Sequence, residues 1–391
     1  MLSPSLRLPF AALLCVMAAA FFFEPLSPPA GARPLSEIEL GKLAFEDPIL
    51  SASGVQSCAS CHAPSHGHAA PNALPVQPGG AAMDRQGMRT SQPLRYLAFN
   101  GRFHFDTDGT PTGGFFWDGR ADSLAAQAEG PLLGEREMAN PDKAGLVARI
   151  AQARWAADFR RLYGTDILKD PERAVAALTR ALGRFQAEDL AFNGFSSKYD
   201  AVLRGQAQLD APEARGLALF NDAAKGNCAE CHPSQRRDDG GHPLFTDFTY
   251  DTLGVPRNPA IAANADPAYI DLGLCDRPDL KTRTDLCGAF KVPSLRNVAL
   301  RQAYFHNGHF TSLEDVVRFY VQRDTHPHKW YPPGADGKPK TFDDLPARFH
   351  DNVNREAPYD RTPGQAPALD EREIQDVVAF LKTLTDGWSA R

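Results

Sequence analysis

Apolar positions along the chain recur mainly at helical spacing. Residues 36–45 open with Ser36 and Glu39, a reciprocal N-terminal capping pair, and continue with helix-period apolar residues. Residues 211–220 repeat that layout, and both stretches close on a Gly-x-x-x-Phe step, Gly41 to Phe45 and Gly216 to Phe220. Amphipathic helices are predicted over 171–189 and 369–384; in the second, Ile374, Val377, Val378 and Leu381 share one face. A further helix is predicted from a Thr311/Glu314 capping pair, with Leu313, Val316, Val317 and Tyr320 on one stripe. One stretch breaks the helical period. Residues 101–116 alternate through Phe103 and Phe105, turn at Asp108-Gly109 and return via Thr112, which is a hairpin signal. Asp106, Asp108 and Thr110 resemble the start of a calcium loop, but the closing Glu is missing, so this is read as a turn. The expected fold class is all-α, in two helical domains with long loops and a small β-hairpin insertion.

The first residues follow a different pattern. Arg7 is the only charge before an apolar run over 8–23, and Ala30-Gly31-Ala32 offers a small-residue cleavage site. Residues 1–32 therefore read as a secretory signal peptide, which implies a periplasmic protein that is not an integral membrane protein once cleaved. An uncleaved anchor is the competing reading, but the run is short for a span and Pro9 and Pro25 bracket it. Cys15 hints at a lipoprotein, against which Leu14 stands where a small residue is wanted. The 391 residues otherwise divide into 36–205 and 206–391. With 43% hydrophobic residues a packed core is within reach, and 31 glycines and 32 prolines account for the long loops. A net charge of −6 without a basic tract argues against nucleic acid as a partner.

The chemistry lies in two strings, Cys58-Ala59-Ser60-Cys61-His62 and Cys228-Ala229-Glu230-Cys231-His232. Each is the attachment signature of a c-type haem. Two thiols three residues apart reach the two vinyl groups of one porphyrin, and the next residue places an imidazole under the iron. A structural zinc site would need both Cys pairs to converge on one metal. A redox Cys-x-x-Cys does not require the trailing His twice. The expected cofactors are two covalently bound haem c, held by Cys58, Cys61, Cys228 and Cys231 with His62 and His232 on the irons. Cys275 and Cys287 remain, twelve positions apart. They are either two free thiols or, as the oxidising compartment favours, a disulfide contributing ~3 kcal/mol.

Longer strings carry a resemblance. Phe115-Phe116-Trp117-Asp118-Gly119-Arg120-Ala121 is followed by Gln127, Gly130-Pro131-Leu132 and Glu137-Met138. In the second half, Phe290-Lys291-Val292-Pro293-Ser294-Leu295-Arg296-Asn297 leads to Tyr304-Phe305-His306-Asn307-Gly308 and Ser312-Leu313-Glu314. Together with the haem pair, over essentially the whole mature chain, these strings resemble the bacterial dihaem cytochrome c peroxidase and MauG superfamily. The resemblance implies an N-terminal haem that reacts with hydrogen peroxide and a C-terminal haem that transfers electrons. It implies that Trp117 bridges the haems and that Glu137 is the distal acid–base group. Gln127 and Pro131 would line that pocket, and His306 would sit near the haem–haem interface.

The same resemblance places the second haem's sixth ligand fourteen residues after His306, at Tyr320. The five methionines are residues 1, 17, 83, 88 and 138, so none follows the second haem motif. A tyrosine there is the MauG-like variant, and its hard phenolate favours oxidised iron where a thioether favours ferrous iron. Positions 69–103 hold no His that could block the first haem, and His66, His68 and His104 are assigned surface or loop roles. The first haem is thus expected to have an open sixth position. The family's calcium would take Thr90 and the carbonyls of Arg301 and Ala303; Thr90 stands where an Asn is usual and is a weaker donor. The implied activity is a peroxide-consuming oxidoreductase. Its reductant would be a small periplasmic cytochrome or cupredoxin, as in a cytochrome c peroxidase, or a side chain of a protein substrate, as in MauG. A non-catalytic dihaem electron-transfer cytochrome is the alternative.

Overall fold

The structure is a computed structural model describing residues 33–390; the predicted signal peptide and Cys15 lie outside the described residues. From Leu35 onward the chain forms one compact unit. Its α-helices are α1 (Glu37–Glu46), α2 (Cys58–Cys61), α3 (Leu124–Leu133), α4 (Lys143–Ile150), α5 (Ala156–Tyr163), α6 (Pro171–Glu188), α7 (Leu190–Asn193), α8 (Lys198–Leu203), α9 (Ala211–Asn221), α10 (Leu313–Gln322) and α11 (Glu371–Lys382). Three two-stranded antiparallel ladders complete the regular structure: β1 (Pro78–Gly79) with β2 (Arg85–Gln86), β3 (His104–Phe105) with β4 (Pro111–Thr112), and β5 (Tyr250–Asp251) with β6 (Phe290–Lys291). The fold is mostly helical, and β3–β4 is the hairpin signalled by 101–116, pairing His104 with Thr112 and Phe105 with Pro111.

Local chemistry sets the helix ends. Ser36 and Glu39 form the capping box of α1, and Asp210 with Glu213 and Asp370 with Glu373 do the same for α9 and α11. Asp170 caps α6, with Pro171 at the first helical position, where no N–H is missed. The start of α10 differs from expectation. Its cap is Ser312, which accepts from the Asp315 amide, rather than Thr311. Adjacent hydroxyl residues made both registers competent, and the stripe of Leu313, Val316, Val317 and Tyr320 is unchanged.

The duplication seen in the sequence is carried through the fold. α1 crosses α6 at Gly41, where a Cβ would lie 2.1 Å from the Ala181 carbonyl oxygen; α9 crosses α11 at Gly216, where it would lie 1.9 Å from that of Asp376. The following phenylalanines pair alike, Phe45 with Phe185 at 5.6 Å and Phe220 with Phe380 at 5.3 Å. One hydrophobic cluster gathers around α1, α4 and α6, and the other around α9, α10 and α11. Each haem motif is followed by a long stretch without α-helix, 62–123 and 232–312. Cys275 and Cys287 are disulfide-bonded within the second stretch.

Candidate functional site

At the second motif, His232 is buried and its Nδ1 lies 2.8 Å from the Phe245 carbonyl oxygen. Burial lowers its pKa to about 4, so the ring is neutral. Nδ1–H then donates to the carbonyl and Nε2 keeps a lone pair for a metal. Cys228 and Cys231 are free thiols, which burial pushes up to about 12. These three residues line a cavity with room for water-molecule centres over about 190 Å³, shared with Tyr320, Trp117 and His306. α10 presents Tyr320 to it beside Leu313, Val316 and Val317. The Tyr320 ring lies 5.8 Å from both Phe305 and Tyr359, and burial pushes its phenol up. The hydroxyl makes no hydrogen bond among the described residues.

The first motif is built alike. α2 carries Cys58 and Cys61, and His62 caps it with Nδ1 3.3 Å from the His68 carbonyl oxygen. Burial lowers His62 to about 4 and raises Cys58 to about 12. The two carbonyls are equivalent: those of His68 and Phe245 also accept from the amides of Leu94 and Leu295. His68 stands in a turn, within the expected surface or loop assignment, but it is buried rather than at the surface. It fills the core-aromatic position of Phe245, stacked on Phe192 at 3.9 Å and 2% exposed. His104 does stand exposed, on β3 beside Asp106, and His66 is bonded to Ser65.

Glu137 is the acid near this motif, and its charge raises the pKa values of Cys58 and Cys61. Solvent reaches its side chain, yet burial raises its own pKa against the pull of Arg120. The two observations together describe a carboxyl at the floor of a recess. The carboxyl makes no hydrogen bond among the described residues. Two glycines fix it. A Cβ on Gly134 would meet Glu137 Oε2 at 2.9 Å, and one on Gly79 would meet the Arg136 carbonyl oxygen at 2.2 Å. Gln127 and Pro131 stand one turn apart on α3, with the Gln127 side chain unbonded.

Between the motifs, the halves exchange contacts. Phe116 and Phe305 have φ of +68° and +64°, and antiparallel bridges Phe115–Ala121 and Tyr304–Phe310 close the two loops. Trp117 and His306 therefore occupy equivalent places. The His306 carbonyl accepts from the Thr90 amide at 2.7 Å and the Trp117 carbonyl from the Lys291 amide at 2.9 Å, while Trp117 Nε1 donates to the Thr90 carbonyl at 2.8 Å. His306 stacks on Phe290 at 3.6 Å. The helices that follow, α3 and α10, each begin eight residues after the Phe, behind Ser123 and Ser312. Counting on, Pro131 and Tyr320 are equivalent positions, each fifteen residues after its Phe.

The residues at each motif fit a c-type haem: two half-buried neutral thiols and a neutral imidazole whose Nδ1 faces a backbone carbonyl. The residues proposed for calcium do not fit an ion. Thr90 Oγ1 donates to the Pro75 carbonyl at 2.6 Å, the Arg301 carbonyl accepts from Tyr304 Oη at 2.8 Å, and the Ala303 carbonyl accepts from the Arg301 guanidinium. The roles of Gly79 and Gly134 escaped the sequence reading, although the Gly79-Gly80 doublet was a signal. Gln56, bonded to Cys61 Sγ at 3.5 Å, and Tyr359 left none.

Mostly helical, with two cysteine-pair-and-histidine motifs built alike, the molecule belongs to the class of dihaem oxidoreductases. Residues 36–208 match the family described as Di-haem cytochrome c peroxidase. The chain is 35% identical to the methylamine utilization protein MauG of Paracoccus denitrificans, over 96% of this chain and 95% of that one. It is 30% identical to cytochrome c551 peroxidase of Nitrosomonas europaea, over 75% and 76%. The crystal structure of the diheme peroxidase BthA from Burkholderia thailandensis superposes with a TM-score of 0.83 at 40% identity, covering 91% of this chain and 87% of that one. The chain thus belongs to the dihaem cytochrome c peroxidase and MauG family and is an oxidoreductase of the dihaem peroxidase type; membership implies two haem c groups.

Proposed function

We propose that this chain is an exported, periplasmic dihaem enzyme of the MauG-like branch, with one covalently attached haem in each of its domains, 36–205 and 206–391. When bound, haem iron supplies the two-electron cleavage of hydrogen peroxide and the storage of the two oxidising equivalents. The protein's own contribution is unequal at its two sites. Glu137, unbonded at the floor of the first recess, takes a proton from one peroxide oxygen and returns it to the other as general acid–base. A raised pKa suits a group that must do both. Gln127 and Pro131 wall that space. Tyr320 supplies an oxygen ligand on the second side, and Trp117 and His306 occupy the ground between.

The observation that carries this reading is the pairing of Pro131 with Tyr320 at equivalent positions of α3 and α10. Proline has no ligating side-chain atom, so Pro131 would leave a first haem iron open where Tyr320 would hold the second. No methionine follows residue 138 to serve instead of Tyr320. A non-catalytic electron carrier would need both irons closed, and an unbonded acid in the first recess would have no use in it. Tyr320, and the absence of His over 69–103, favour MauG-like oxidation of a protein side chain over a peroxidase fed by a cytochrome or cupredoxin.

Electron paramagnetic resonance of the resting holoenzyme tests the reading. One high-spin and one low-spin haem are expected, and Tyr320→Met should alter the low-spin signal alone. Two low-spin signals, insensitive to cyanide, would overturn the assignment. Peroxide-treated protein mixed with a reduced cytochrome separates the two activities: a persistent oxidised state supports the MauG-like one, and fast turnover the peroxidase.

A further inference from the structure

Arg301 is a recessed cation without an anion. Its Nε and Nη2 donate to the Ala303 carbonyl at 3.2 and 3.0 Å, and Nη1 approaches the Ser91 carbonyl at 3.4 Å. Among the described residues it has no carboxylate partner, and burial brings its pKa down to about 10. The other deeply set arginines are different. Arg89 pairs with Asp118 and Asp271, and Arg296 with Asp200. Arg301 is held only by backbone oxygens, in the manner of a metal ion.

Its place is between the two motifs. It lines the cavity of Cys228, His232 and Tyr320, and its charge helps to depress the pKa of His62 at the other motif. Ser91, at the far end of the clamp, adjoins Thr90, whose backbone holds Trp117 and His306. A calcium ion seeks six to eight oxygens. Of the three donors assigned to it, both carbonyls already accept hydrogen bonds and the Thr90 hydroxyl is turned to Pro75. The guanidinium itself would repel a divalent ion a few ångströms away.

We propose that this enzyme holds no calcium between its haem motifs and that the Arg301 guanidinium is the fixed cation there, clamping Ser91 to Ala303. The cation linking the halves is then part of the chain itself, and a chelator cannot remove it. The proposal rests on the dihaem reading for its setting, but its primary test does not depend on reactivity with peroxide.

Holoenzyme equilibrated with calcium and then gel-filtered should carry no metal by atomic emission. EGTA should leave its melting temperature and both haem resonance signals unchanged. One retained calcium per chain, or a melting temperature lowered by EGTA, would overturn the proposal. Arg301→Gln, purified with its haems, should melt lower and show altered resonance signals whether or not calcium is added. An Arg301→Gln protein identical to wild type in both would also overturn it. If that variant does not fold, calcium content and EGTA response of the wild type still decide. A protein inert to peroxide yet free of calcium would defeat the proposed activity and leave this inference standing.

Discussion

The two halves use one scaffold twice and finish it differently. In each, a helix with a Gly-x-x-x-Phe step crosses a long amphipathic helix, and a thiol pair and histidine follow. In each, a backbone carbonyl behind an aromatic side chain fixes the imidazole. The finish diverges at the helix after the second loop. α10 turns an apolar stripe and one phenol into the second cavity, whereas α3 offers Gln127 and Pro131 and leads to the recessed Glu137. The first half also carries the hairpin 104–112, for which the second has no counterpart between Asn297 and Tyr304. On the proposed function, what is shared would serve attachment and what differs would set the chemistry. On that reading, a duplicated fold would specialise one site for an oxidant and the other for electron storage by changing few side chains.

The largest effect should come from removing Glu137, the acid that follows α3 beside the first motif. Glu137→Gln keeps the shape of the recess but cannot carry a proton. The stopped-flow rate of reaction with peroxide should fall ~10²–10⁴-fold, as for loss of a general acid–base group, with the melting temperature unchanged. An unaltered rate would remove the functional distinction between the halves.

Stability offers the next contrast. Asp200 and Arg296 are fully buried partners under the second half, joined by two 2.9 Å bonds, and Arg296 lies over the rings of Tyr96 and Phe195. Arg296→Met would leave Asp200 buried with Ser197 and His242, at a cost of about 3–5 kcal/mol in denaturant unfolding. The pH dependence checks the cause. Burial raises the Asp200 pKa, but Arg296 and Ser197 more than offset this and hold it below the usual carboxylate range. The unfolded state then takes up the proton first as pH falls. The pair's contribution is complete above about pH 4 and is lost below it. Wild type should show that acid slope, and Arg296→Met should lack it.

The helix crossings test whether the scaffolds are truly equivalent. Gly41→Ala and Gly216→Ala each gain about 1 kcal/mol of helix propensity. Each also drives a methyl into a carbonyl at about 2 Å, an overpacking that costs about 1–3 kcal/mol or more. Both should be net destabilising, and to similar extents in thermal melts. A loss confined to one would show that the second crossing is not a repeat of the first.

Much of this was legible in the sequence because it is local. Capping pairs, the Gly-x-x-x-Phe repeat, the hairpin turn and the haem motifs all act through neighbours a few residues away. The equivalence of Trp117 with His306, and of Pro131 with Tyr320, was not legible, because the inserted hairpin hides the spacing until the two loops are seen to close alike. The burial of His68 within its turn was missed for a related reason. Nothing in its flanks says that the chain folds back to lay its ring on Phe192. Arg301 was assigned by its carbonyl alone, since periodicity does not tell a buried guanidinium from a solvated one.

The smallest expected effect concerns the wall of the second cavity. Tyr359 lies beside Tyr320 with its hydroxyl buried and unpartnered, under the guanidinium of Arg323 at 3.8 Å. A buried hydroxyl without a partner costs about 1–3 kcal/mol. Tyr359→Phe removes that cost while keeping the ring and its cation contact, so the holoenzyme should gain up to about 1 kcal/mol, seen as a slightly higher melting temperature. A neutral or stabilising result would mark this wall of the second cavity as built by packing rather than by polar contacts. A melting temperature several degrees lower would instead mean that the hydroxyl has an acceptor in the loaded enzyme. The Tyr320 oxygen is the candidate, because its ring lies 5.8 Å from that of Tyr359.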